Sequence, residues 1–314
     1  MIYIFHKMKG IFYNSRYALC SIWESGKMCY NILCNSSKYT LDYSEESYID
    51  NSYDFIIINY HYTTNSWITQ QMVNNFNKKT FCIVLEVGLG IDPLTHTPKI
   101  FDHYIVLDPT INEMHDIHAF SRPLENIKLN NIESQNNIVK IGSFGFATYG
   151  KEWHKIVECV QNEFDEAEIY INIPKATFVP QNIHDELIND LKNKVNNLLI
   201  KPKIVLKITH EILTKEEIVN FCNSNTINIF FYNRSDTLSS GLAAVTDQAI
   251  ISEKPILVSD DLTFRHIHKY IDYYPNISIK DAIIKNKDGV KQMKIDWSSD
   301  AFLSKFENIL YLHD

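Results

Sequence analysis

Short apolar runs alternate along the chain with longer stretches whose apolar residues recur every three or four positions. That alternation is the pattern of parallel α/β units. In the first part, residues 2–13 predict a first strand, or a strand interrupted near Lys9 and Gly10. Residues 22–35 predict a helix carrying Ile22, Met28, Ile32 and Leu33 on or near one face, and 39–43 a second strand. Apolar runs at 54–61, 80–87 and 103–109 predict three more strands, with a helix at 65–76 between the first two.

Residues 128–137 are polar and rich in asparagine, which predicts a linker. A second series follows, with strands at 138–144, 168–174, 203–210, 227–233 and 255–260. Helices are expected at 151–163, 183–199, 214–223 and 240–252, and a final one near 298–311. Trp153, Ile156, Val157 and Val160 stand at helical spacing, and Thr214 with Glu217 forms a capping box. The 314 residues suit about two domains. The expected fold is α/β, with two Rossmann-like domains facing across a cleft. The expected boundaries are 1–127, a linker 128–137, 138–290, and a terminal helix in 291–314 that packs back on the first domain.

Composition narrows the function classes. Hydrophobic residues make up 45% and charged residues 22%, which excludes a disordered chain. Lysine plus arginine total 30 against 38 acids, a net charge of −8. With no long basic run, nucleic acid is not an expected partner. The six cysteines form no Cys-x-x-Cys pair, which fits a reducing compartment. No apolar stretch approaches the ~20 residues of a membrane span. A cytoplasmic protein is expected, with peripheral membrane contact left open.

Open α/β sheets bind ligands outside the carboxyl ends of their strands. The strongest motif lies at such an end: IGSFGFATYGKEW, residues 141–153. A glycine-bearing turn lets backbone amides approach a phosphate, a following helix adds positive potential, and Lys151 adds a charge. Residues 145–151 satisfy G-x-x-x-x-G-K, but Glu152 follows where a P-loop needs a hydroxyl for magnesium. The same turn could serve strand-to-helix geometry alone. Asp247 lies in the helix expected at 240–252, where a carboxylate can hold ribose hydroxyls or stand as a solvated charge. His61 ends the 54–61 strand, as a titrating group or a structural histidine. His115 with His118, and His266 with His268, lack a matching third ligand, so no metal site is expected.

Taken in order, these pieces resemble GT-B glycosyltransferases, closest to the nucleotide-sugar family with an acid-x7-acid motif. YDFIIINYH resembles that family's strand ending in histidine, which places His61. IGSFGFATYGKEWHKIVE supplies Gly142, Lys151 and Trp153 in the matching places, and PILVSDDLTFRHI resembles a recurring run. Ser239 and Asp247 hold the two acid positions, so the second acid alone is kept. Ser143 stands where a diphosphate-binding arginine is usual, with Arg234 or Arg265 as substitutes; Asp236 could stand in for the missing acid.

The resemblance implies a metal-independent, cofactor-free transfer from a nucleotide-diphosphate sugar to a glycan, lipid-linked or other acceptor. The donor would lie on residues 138–290, contacting Gly142, Ser143, Gly145, Lys151, Arg234, Ser239, Ser240, Asp247 and Arg265. His61, Glu24 and Glu86 are the candidate catalytic groups facing the acceptor, and Asp92 is a rival base. The departures at Ser143 and Ser239 keep a non-catalytic sugar-nucleotide binder, or an epimerase, as alternatives.

Overall fold

A computed structural model describes residues 7–15, 21–61, 65–85, 100–130, 138–176, 179–198, 200–234 and 241–311. The chain forms two compact units. The first comprises Met1–Glu125, Ser239–Gly241 and Trp297–Asp314; the second comprises Asn126–Leu238 and Leu242–Asp296.

The first unit is built on six strands: β1 (Met8–Tyr13), β2 (Tyr39–Ser44), β3 (Phe55–Tyr60), β4 (Lys79–Val84), β5 (His103–Val106) and β6 (Ile117–Ala119). They pair in the order β2-β1-β3-β4-β5-β6, every pair parallel. Strand β3 reads FIIINY and is buried almost throughout, as a strand covered on both faces must be. Helices α1 (Ser21–Leu33) and α2 (Gln70–Phe76) belong to this unit. The side chain of Thr69 accepts from Met72 N and fixes the start of α2, so the expected 65–76 helix is shorter. A core beneath one face joins Phe12, Phe55, Phe81 and Ile105 to Phe302 and Phe306. The last two lie on α8 (Ser299–Tyr311), which is drawn from the far end of the chain.

The second unit has five strands: β7 (Val139–Phe144), β8 (Ala167–Asn172), β9 (Ile204–Thr209), β10 (Ile227–Phe230) and β11 (Ile256–Val258). Their order is β11-β10-β7-β8-β9, again all parallel. Helices α3 (Trp153–Glu163), α4 (Gln181–Asn196), α5 (Lys215–Asn223), α6 (Val245–Ile251) and α7 (Ile279–Asp296) flank the sheet's sequence, with α3, α4 and α7 supplying residues to one core. The capping box of α5 forms, with both Thr214 and Glu217 contributing.

Two elements depart from the sequence reading. Strand β6 was not expected, and neither was α7, an 18-residue helix. The buried face of α7 includes Asn286, whose side-chain amide donates to the carbonyls of Ile256 and Asp272, both at 2.8 Å. Gly289 lets that helix approach the backbone of Tyr270, where a Cβ would collide with a carbonyl. A polar residue and a glycine on the inner face erase the apolar periodicity.

Candidate functional site

In an open parallel sheet the ligand crevice lies where the strand order reverses direction. In the second unit that point is between β7 and β10. The chain builds outward from β7 through β8 and β9, then returns to add β10 and β11 on the other side.

The glycine turn of the sequence motif sits at this reversal. Strand β7 ends at Phe144, and Gly145 follows with φ +141°, a region favoured by glycine. Its N–H donates to the carbonyl of Asn172 at 3.0 Å. A Cβ on Gly145 would run into the ammonium of Lys151 and lie 3.5 Å from Val245, the first residue of α6. The ammonium therefore rests over the turn's backbone. Gly150, at φ +80°, is the second such position; a Cβ there would meet Arg234 Cγ at 2.7 Å.

The loop is fastened to the segment leaving β10. Asn233 N donates to Gly150 O at 2.7 Å, Glu152 N donates to Phe231 O at 2.9 Å, and Lys151 bridges Tyr232 in antiparallel fashion. Local backbone pairing thus brings a lysine from after β7 to the carboxyl end of β10.

The electrostatics are one-sided. Lys151 Nζ lies 5.2 Å from the centroid of Tyr232 and 5.5 Å from that of Trp153. The Arg234 guanidinium stands 5.0 Å from the Tyr232 ring and donates to Thr148 Oγ1 at 2.7 Å. Among the described residues no carboxylate pairs with Lys151. Burial, and then the charge of Arg234, pull the lysine down from 10.5 to about 7. Asp261 is near, but its carboxylate is occupied by backbone and hydroxyl donors. Oδ2 accepts from Arg234 N at 2.7 Å, and Oδ1 from Thr263 N and Oγ1 at 2.9 and 2.7 Å. Two cations, two aromatic rings and the N-terminus of the 11-residue α3 meet at one turn. That arrangement favours an anion, and among the described residues no carboxylate pairs with the side chain of either cation.

A cavity of about 230 Å³ opens beside this loop. Residues 148–154 line one side, and Leu187, Asp190, Leu191 and Lys194 of α4 line another. Its acids are neutralised in place: Glu152 pairs with Lys155 and Asp190 with Lys194, each at 2.8 Å.

The remaining sequence candidates are spread over both units. Asp247 is the third residue of α6 and half-buried. Arg265 donates to its own turn, from Nη1 to Leu262 O at 2.7 Å. Ser143 is buried with its hydroxyl unpartnered, and Gly142 packs against the side chains of Asn225 and Asn228. In the first unit, His61 follows β3; its N–H donates to Asn65 Oδ1 at 2.8 Å. Glu24 is exposed in the first turn of α1. Glu86, Asp92, Asp236, Ser239 and Ser240 lie outside the described residues, so of the two positions set by the resemblance, Ser239 and Asp247, Asp247 alone is described. Sequence reasoning missed Tyr232, whose signal was its place at the end of the INIFFYN strand.

Two Rossmann-like α/β units with parallel sheets define the GT-B architecture of glycosyltransferases, and that is the fold of this chain. Among solved structures, Anabaena HepE in complex with UDP has a TM-score of 0.63 at 8% identity, covering 96% of this chain and 99% of its own. The same protein with UDP and glucose gives 0.60 at 7% identity, with the same coverage. The lipopolysaccharide outer core galactosyltransferase WaaB, in its apo form, gives 0.60 at 10% identity, covering 97% and 99%. No family model and no curated protein matches the sequence.

Proposed function

We propose that this chain is a glycosyltransferase that moves a sugar from a nucleotide-diphosphate sugar to a glycan, lipid-linked or other acceptor. One observation carries the reading: the half-buried ammonium of Lys151, paired with no carboxylate among the described residues and held with Arg234 over a glycine turn at the reversal point of the second sheet. The fold adds support, because the similar HepE structures hold UDP, and UDP with glucose.

In this reading the donor's diphosphate lies against Gly142, Ser143 and Gly145, with Lys151 and Arg234 as its counter-charges. Breaking the sugar–phosphate bond leaves negative charge on the diphosphate. Preorganised donors aimed at such charge are worth ~3–4 kcal/mol each. A lysine poised near neutrality gains its proton as the anion arrives, since an opposite charge favours the protonated form. Two protein cations thus fill the role a metal plays elsewhere, the basis for proposing metal-independent transfer. Asp247, with Ser239 and Ser240, would hold the ribose and sugar hydroxyls, and Arg265 is a reserve phosphate ligand. His61, Glu24 and Glu86 are proposed as the groups that receive the acceptor's proton.

The test is a thermal-shift screen against UDP, GDP, CMP and dTDP sugars, because a ligand of the native state alone raises the melting point. A shift with one nucleotide, followed by a transfer product, is expected. No shift with any of them removes the proposal. A shift without product in the presence of glycan acceptors indicates a binder rather than a transferase.

A further inference from the structure

The side-chain nitrogen of Lys151 is placed as a nucleophile as well as a charge. Among the described residues Nζ makes no hydrogen bond and no ion pair. The Gly145 backbone lies beneath it, where a Cβ would strike the nitrogen itself. The rings of Tyr232 and Trp153 stand 5.2 and 5.5 Å away. An amine in such apolar company sheds its proton readily, and burial together with the charge of Arg234 brings this one to about 7. At pH 7 about half of the molecules therefore carry a free lone pair at this position.

The surroundings select among electrophiles. An aldehyde condensing with the amine gives an iminium, which puts a second positive charge near Arg234 and gains no partner. Carbon dioxide turns the same amine into an anion. The Arg234 guanidinium, 5.0 Å from the Tyr232 ring, then has an opposite charge near it in place of a like one. The first turn of α3 has no side-chain cap and adds positive potential. The nearby acids do not compete for these cations. Burial raises Tyr232 and keeps it a neutral phenol, Asp261 accepts from Arg234 N, Thr263 N and Thr263 Oγ1, and Glu152 pairs with Lys155. The cavity of about 230 Å³ is lined in part by Lys151, which gives so small a molecule a way in.

We infer that Lys151 is a carbon dioxide-binding residue, reversibly carbamylated at Nζ, with Arg234 as the counter-charge of the carbamate. The Nζ lone pair attacks the carbon, an N–C bond forms as one C–O π pair moves onto oxygen, and a proton leaves Nζ for water. Nothing is oxidised or reduced, and the products are Lys–NH–COO⁻ and one proton. On the nucleotide reading this anion occupies the place of the donor's diphosphate, so dissolved carbon dioxide regulates donor binding by competition. That consequence rests on the nucleotide reading; the carbamate itself does not.

The experiment is chemical trapping on the full chain. The protein is equilibrated with isotopically labelled carbon dioxide, alkylated with triethyloxonium to fix any carbamate as its ethyl ester, digested and read by mass spectrometry. Label is expected at Lys151 above every other lysine. At fixed carbon dioxide pressure it should rise severalfold between about pH 6 and 8, as the amine loses its proton. Lys151→Arg should lose the label at that position. Arg234→Gln should lower it severalfold, because the change removes the counter-charge and lets the lysine regain its proton. If either variant fails to fold, the pH profile of the wild type decides the matter. No label at Lys151, or no more than at the exposed Lys203, overturns the inference. So does labelling of Lys151 by glycolaldehyde and borohydride with none by carbon dioxide. Calorimetry with UDP on the same samples separates the two proposals. UDP is expected to displace the label. Label that persists under saturating UDP sinks the diphosphate's place at Lys151 and leaves the carbamate, and UDP binding without any label sinks the carbamate alone.

Discussion

The depressed Lys151 turns nucleotide binding into a titration. In the free protein its ammonium loses its proton at about 7. A bound diphosphate places negative charge against Nζ and drives the pKa back up. Affinity is then flat below about pH 7 and falls as the pH rises, because the free protein must recapture a proton before it can bind. With a midpoint near 7 the loss is about tenfold at pH 8 and about a hundredfold at pH 9, as long as the complex stays protonated. The ligand does not confuse the result, since its last ionisation lies near 6. Neighbouring groups stay out of the window as well. His154 is pushed below its ordinary 6.5 by burial and then by Lys194, and burial raises Tyr232. The assay is isothermal titration of UDP between about pH 6.5 and 9 in buffers of different ionisation enthalpy, which also counts the protons taken up. A flat affinity, or an unchanged slope in Lys151→Met, would show that this lysine does not bind the phosphates.

Other consequences follow from the same geometry. The folded pKa of Lys151 lies below the unfolded value, so the unfolded chain holds more protons between about pH 7 and 10.5, and wild-type stability rises across that window. Lys151→Met should therefore abolish that slope and stabilise the protein at pH 7 by on the order of a few kcal/mol, seen as a higher melting temperature; a lower melting temperature contradicts the burial argument. Gly145→Ala should cost about 1–2 kcal/mol and displace the ammonium, so UDP affinity should fall while circular dichroism stays native. Asp247→Ala should lose discrimination between ribose and deoxyribose forms of the nucleotide, and equal discrimination in both proteins removes its proposed role. Phe306→Ala, at a fully buried position among Tyr39 and Phe81, should cost about 3–5 kcal/mol in denaturant unfolding; a loss under 1 kcal/mol would mean α8 is not integral to that core.

The fold was legible where burial on both faces made strands continuously apolar, as in FIIINY and in the TFCIV of β4. It was illegible at α7, where Asn286 and Gly289 occupy the inner face for reasons set by carbonyls elsewhere in the chain. Lys151 could be read because a glycine turn, a lysine and a helix start are contiguous. Its partner Tyr232 could not, because the meeting of β7 with β10 is a long-range pairing that local pattern does not encode.

The route of the chain has a consequence for how this molecule is made. The first sheet is threaded before residue 125, while the helix carrying Phe302 and Phe306 is translated only after the whole second unit. Emerging from the ribosome, the early strands must wait with part of one greasy face uncovered beside α1 while their successor folds around its own interior. A chain cut short just before Trp297 would hold a complete second unit and a first unit with sticky surface still showing, which quality-control proteases and chaperones would find first.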